Sequence, residues 1–295
     1  MRSEIIRYLG HKPVPITPRR LATSQYSGEW ASPYTGKGMD FRSHRAFELG
    51  DDPRTIHMPM SVRAGKRMVI DRIAMRDISI FVMIDCSPSM AVRDKLKILS
   101  TTAMVLLISG MMLEMRVGVI LVSDEGYQSL GSGMGQRKIS SLLERVEESS
   151  QLLGEGRTQH LSFIRHGIYR ILPAGCMLFH LSDFLAADGA PQFGLPLKLN
   201  TIRYDYVPVV IQDEYECTFP DNDAASLLKL RNPETGSIYP VWLGNDERRR
   251  LRTLHQTRFS QIKDRFSRTG TGFIHIPGTD LEQVHSSLSR FFLYR

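Results

Sequence analysis

Cysteine is scarce in this chain. Cys86, Cys176 and Cys217 are scattered through 295 residues with no CxxC pair, which excludes a disulfide framework and a thiolate zinc motif and fits a reduced, cytoplasmic setting. Long hydrophobic runs are missing too. The opening MRSEIIRYLG has no apolar core of a signal peptide. The most apolar stretch, residues 103–113, is shorter than the about 20 residues of a membrane span and reads as a buried helix. No transmembrane segment is expected, and peripheral membrane association stays open. None of the nine histidines stands at HExxH spacing. The glycine-rich residues 131–137 are not followed by Gly-Lys-Ser/Thr, so they do not form a phosphate loop; they read as a mobile loop near the functional edge.

What is present is enough apolar material for one large core or a main domain with an annex: 42% of residues are hydrophobic and 23% charged. A formal charge of +7 permits contact with nucleic acid, an anionic membrane or an acidic protein without selecting one. Residues 1–35 carry Pro13, Pro15, Pro18 and Pro33 and are expected to be an extended arm. Alternation over residues 67–73 predicts a strand, and residues 1–76 are assigned to a small β-rich annex.

From residue 77 the pattern changes. Near-continuous apolar runs at 78–84, 116–122, 176–181 and 206–211 predict central strands covered on both faces. Shorter strands are expected at 127–130 and 272–276. Helical patterns lie between them, at 90–114, 138–148, 160–172, 246–268 and 281–292, and residues 212–244 form a β excursion with a turn at 232–236. Strands alternating with helices predict an α/β fold, a doubly wound, mostly parallel sheet over residues 77–295. Ligands of such sheets sit at the C-terminal ends of the strands.

Three segments fall at that edge: Asp85-Cys86-Ser87-Pro88-Ser89 after the first central strand, Thr158 before a helix, and Asp183 after a later strand. Asp85, Ser87, Ser89, Thr158 and Asp183 offer only hard oxygen donors, which suit Mg²⁺, with Mn²⁺ or Ca²⁺ as alternatives, and suit zinc or copper poorly. Each piece alone has a plainer reading. Ser89 or Thr158 can cap a helix, and Asp183 can be a turn residue. Cys86 alternates away from Asp85 and reads as core.

The five residues resemble the metal-ion-dependent adhesion site of von Willebrand factor type A domains. The resemblance implies direct metal contacts from Ser87, Ser89 and Thr158, largely water-mediated contacts from Asp85 and Asp183, and a partner's carboxylate completing the shell. From about residue 36 onward a narrower likeness runs through Gly36, Gly38, Phe41, Arg45, Gly50-Asp51-Asp52, Arg54, Ile56, Ser61 and Arg63, then Asp183-Phe184 and Phe291-Phe292 with Arg295. This pattern resembles the bacterial family named "domain of unknown function fifty-eight". His57-Met58 stand where that family usually has Asp-Trp. The family often accompanies MoxR-type AAA+ ATPases, which implies a co-chaperone or assembly role.

The expectation is therefore a metal-dependent protein-binding module rather than an enzyme, its partner a MoxR-type AAA+ ATPase or a client that supplies an acidic residue. The alternative is a Mg²⁺-dependent hydrolase of phosphate esters; against it, no Asp-x-Asp pair begins at Asp85 and no general base is evident. The helix with Arg248, Arg249, Arg250, Arg252, Arg258, Lys263, Arg265 and Arg268 lacks an aromatic RNA-stacking motif. It is expected to be a solvated face backed by Leu251, Leu254, Phe259, Ile262 and Phe266, and nucleic acid is not an expected partner. Asp51 and Asp52 are expected to pair with Arg45, Arg54 or Arg63 and fasten the annex.

Overall fold

Four strands form the centre of the molecule: β4 (Ser79–Asp85), β5 (Arg116–Ser123), β7 (Met177–Ser182) and β8 (Asp205–Ile211). Every residue of β4, β7 and β8 is buried, which explains why their sequences run apolar instead of alternating. The computed structural model describes residues 2–10, 12–18, 27–35, 41–48, 53, 56–76, 79–123, 126–156, 171–173, 175–184, 204–213, 216, 226–231 and 236–295.

With β6 (Gly126–Gly133) and β11 (Ile274–Ile276) the central strands make a six-stranded sheet of order β11-β8-β7-β4-β5-β6. All neighbours are parallel except β6, which returns antiparallel along β5. Apolar side chains pack on both faces. One face gathers Ile80, Val82, Ile84, Phe179 and Leu181 against α1 (Arg2–Leu9), α3 (Lys95–Met112), α4 (Gln136–Gly154) and α6 (Leu281–Leu293). The other gathers Phe81, Met83, Leu178 and Tyr206 against Ile262 and Phe266 of α5 (Asn245–Arg268). This is the doubly wound α/β arrangement expected. By length and composition α3 is apolar enough to cross a membrane, but 78% of its apolar window is buried in the core.

Several local expectations are corrected. The first residues are not all extended: α1 precedes the prolines, and its Ile5 and Leu9, with Val14 and Ile16, belong to the main core. The backbone of Val14 donates to Ser109 Oγ on α3 at 3.1 Å. The helix expected from residue 90 begins later. Pro88–Ala91 is a single 3-10 turn, Arg93 takes a left-handed φ of 55°, and α3 starts at Lys95. The expected mobile loop at Gly131 is the end of β6, paired with Val117–Val119 at the start of β5, away from the C-terminal edge. Leu254 is half exposed rather than core, whereas Ile262 and Phe266 are buried.

The annex contains a three-stranded antiparallel sheet, with β3 (Met68–Arg76) between β1 (Ser27–Thr35) and β2 (Phe41–Ala46). Short α2 (Met58–Ala64) ends on Gly65 in the left-handed region that glycine tolerates. The His57 backbone donates to Met68 O at 2.8 Å, and its ring lies 4.8 Å from that of His44. Asp51, Asp52, Arg54 and the Arg45 side chain lie outside the described residues, as do residues 160–170 of the helix expected at 160–172; Ile171 is helical. The β excursion is a hairpin of β9 (Ser226–Arg231) and β10 (Ile238–Leu243).

Candidate metal centre

The sheet reverses its winding between β4 and β7. Chain order runs β4, β5, β6 to one side and β7, β8, β11 to the other. Such a switch point leaves a crevice at the strands' C-terminal ends. Asp85 is the last residue of β4, and Asp183 directly follows Ser182, the last of β7. Ile84 pairs with Leu181, so the following residues, Asp85 and Ser182, come side by side and turn to the same face. Ser182 Oγ donates to Asp85 Oδ2 at 2.6 Å, and the Ser87 backbone N–H donates to Asp85 Oδ1 at 2.8 Å. Both carboxylate oxygens are thus fixed.

The turn after β4 brings the serines together. Ser87 Oγ and Ser89 Oγ are 3.0 Å apart. The plainer capping reading fails for Ser89. The 3-10 turn after Ser87 has no side-chain cap bond, and α3 takes Asp94 as its N-cap. Cys86 turns into the core as expected, where burial first, and then the neighbouring Asp85, push its thiol up to about 12. Asp85, Ser87, Ser89 and Asp183 therefore share one edge. Thr158 lies outside the described residues.

The next shell of charge was missed from the sequence. Lys95, 2% exposed, donates to Asp183 Oδ2 at 2.9 Å and to Glu216 Oε1 at 2.8 Å. Arg93 Nε lies 2.9 Å from Asp213 Oδ2. The Glu216 backbone donates to Asp213 Oδ1 at 2.8 Å. Asp213 and Glu216 follow β8 much as Asp85 ends β4 and Asp183 follows β7, so the same positional rule would have found them. Lys95 carried no such signal, because it stood in the sequence merely as the flank of an apolar helix.

Electrostatics mark this edge. Burial foremost, and then Asp183, raise Asp85 to about 6, against the hydrogen bonds from Ser182 and Ser87 that lower it. Burial works against the Lys95 ammonium, but Asp183 and Glu216 together outweigh it and hold the lysine above its ordinary value. Burial keeps Glu216 above the usual carboxylate range despite Lys95. Backbone strain lies here as well. Phe184 has φ 53°, an expensive conformation for an aromatic residue. Its N–H donates to Ser182 Oγ at 3.0 Å, and its ring packs edge-on to Phe266 at 5.2 Å.

Residues 43–262, about three quarters of the chain, match the family described as "protein of unknown function DUF58". This chain belongs to the DUF58 family. No curated protein matches it. Within this DUF58 chain, the strained Phe184 and its neighbour Asp183 belong to the pattern that carried the family likeness in the sequence.

The side chains gathered here offer oxygen donors, the class of ligand that a hard divalent ion takes. Asp85, Asp183, Asp213 and Glu216 stand against Arg93 and Lys95, a formal excess of two negative charges within the cluster. Burial first, and then Asp183, make ionising Asp85 costly. Among the described residues no group of three or more His, Cys, Asp and Glu is arranged to hold a metal, so the fit depends on the serine hydroxyls.

Proposed function

We propose that this DUF58 protein is a metal-dependent protein-binding module, an adaptor or co-chaperone that works with a MoxR-type AAA+ ATPase in the assembly of other proteins. The observation that carries the reading is the meeting of Asp85, Ser87, Ser89 and Asp183 at the switch point, with Asp85 driven up to about 6. Ser87 and Ser89, with Thr158, would hold Mg²⁺ directly, and Asp85 and Asp183 would hold it through water. Bound there, the ion supplies a positive charge that attracts a partner's carboxylate.

Binding is favoured over catalysis because the carboxylates are already engaged. Asp85 accepts from Ser87 and Ser182, and Asp183 accepts from Lys95. Groups held in this way are placed to orient a ligand, and no Asp-x-Asp pair begins at Asp85 to divide phosphoryl transfer between two carboxylates.

The test combines calorimetric titration with Mg²⁺ or Mn²⁺ and affinity capture from the native cell. Wild type should bind the ion and retain its partner, and EDTA should release it. Asp85→Ala, Thr158→Ala and the Ser87→Ala/Ser89→Ala pair should bind neither while keeping a wild-type circular dichroism spectrum. Partner capture indifferent to EDTA, or Mg²⁺-dependent turnover of phosphate esters abolished in Asp85→Asn, would overturn the reading.

A further inference from the structure

The β9–β10 hairpin stands apart from the central sheet as a two-stranded ribbon. Trp242 lies opposite Leu227, and Pro240 opposite Lys229. Directly opposed residues share a face, so Leu227, Ile238, Pro240 and Trp242 line one side together with Lys229. Leu227 is 63% exposed, Ile238 62% and Trp242 62%. Tyr239, on the other side, is 56% exposed. Isolated exposed apolar residues are ordinary, but a contiguous set with a tryptophan marks a contact surface.

Its charge is one-sided. The strands read SLLKLR and IYPVWL, without an acid, and the sequence joining them holds a single one, Glu234. Helix α5, which follows directly, carries eight arginines and lysines against Asp246, Glu247 and Asp264. Of these, Arg249 and Arg250 are exposed next to the hairpin's end, and Lys229 is exposed on the hairpin itself.

We infer that this hairpin is a wedge that docks the protein on an anionic lipid surface. Opposite charge selects the surface, since lysines and arginines near anionic headgroups are attracted to them. Three features favour lipid over an acidic protein. Trp242 on one side of the ribbon and Tyr239 on the other are both exposed, whereas Leu243 at its base is buried, so a headgroup layer can surround an outer part that a flat protein face covers only once. Pro240 has no N–H to offer, so β10 is a poor edge for an added strand. Trp242 and Tyr239 have the amphipathic rings that settle at membrane interfaces.

The chain supplies its own reporter. Trp30 and Trp242 are its two tryptophans, so Trp30→Phe leaves Trp242 as the sole tryptophan, read by selective excitation apart from the tyrosines. The full-length protein is mixed with vesicles of phosphatidylcholine alone or blended with phosphatidylglycerol, then floated and read by fluorescence. Flotation with the blended vesicles and a blue shift of Trp242 are expected, both weakened by salt and unchanged by EDTA. Ile238→Ser and Leu227→Ser should each lower partitioning by about tenfold, and Arg249→Glu/Arg250→Glu should abolish the preference for the blend. Thermal melts matching wild type would show these surface variants to be folded. The inference is overturned by absent flotation, by equal flotation on neutral vesicles, by partitioning indifferent to Ile238 and Leu227, or by a Trp242 shift seen with polyglutamate and not with vesicles. Loss of flotation in EDTA would also overturn it, by assigning the lipid contact to the metal centre. Failure of the metal reading alone would leave the flotation result intact.

Discussion

An ammonium in the first turn of a helix meets the positive end of the helix dipole, and burying it removes its water; both effects oppose it. Lys95 bears both because Asp183 and Glu216 lie within hydrogen-bond reach. The consequence is asymmetric. Lys95→Met would leave two buried carboxylates facing each other, and a loss of roughly 3–5 kcal/mol in folding stability is expected from urea denaturation. Adding Glu216→Gln should recover part of that loss, which a purely packing role for the lysine stem would not produce. The contrast with Asp85, Ser87, Ser89 and Asp183 shows which residues a sequence discloses. Those four follow buried strands at short, fixed distances, so strand ends alone place them at one edge. Lys95 reaches the same place by turning inward across 88 positions of chain from Asp183, and no local pattern encodes that.

At the scale of elements, the central strands were legible because burial on both faces leaves a near-continuous apolar run. Boundaries set by tertiary contact were not. The break before α3 has no proline within it or glycine to announce it; it exists where Arg93 pairs with Asp213 and Lys95 turns toward Asp183. The glycine-rich stretch at 131–133 misled for another reason. Those residues form an edge strand against β5, where Gly131 takes a φ of 93° that side chains rarely adopt and a Cβ at Gly133 would fall 2.6 Å from the Lys138 side chain. Gly118 shows the constraint best. A Cβ there would fall 2.6 Å from the Phe81 ring and 2.8 Å from the Ser132 side chain, both on neighbouring strands. Gly118→Ala should therefore destabilise the protein by about 1–3 kcal/mol, measured as a lower guanidinium midpoint with an unchanged slope. A neutral result would mean that β6 gives way freely and that its register is loosely held.

For the whole molecule, the order of elements predicted the doubly wound sheet, and the sheet's reversal between β4 and β7 sets two acidic strand ends side by side. That arrangement has a thermodynamic signature. Asp85 is raised from 3.8 to about 6, so the folded state binds its proton more tightly than the unfolded state does. Its contribution is harmless below about 4, turns unfavourable as pH rises through 4 to 6, and stays at its full cost above that, on the order of 3 kcal/mol. Glu216, also raised, acts in the same sense. His180, His255 and His275 act oppositely. Burial lowers all three, so their contribution improves as pH rises toward 6.5. The Asp85 effect must therefore be read as a difference between wild type and Asp85→Asn. In EDTA the variant should gain on wild type as pH climbs from 4 to 7. In saturating Mg²⁺ the order at pH 7 should reverse, because the ion stabilises whichever folded chain binds it and the variant has lost the carboxylate that helps hold it. Calorimetric melts across that pH range, with and without Mg²⁺, decide the matter. If Asp85→Asn stays the more stable protein in both conditions, the paired strand ends serve only the fold, and no divalent ion resides between them.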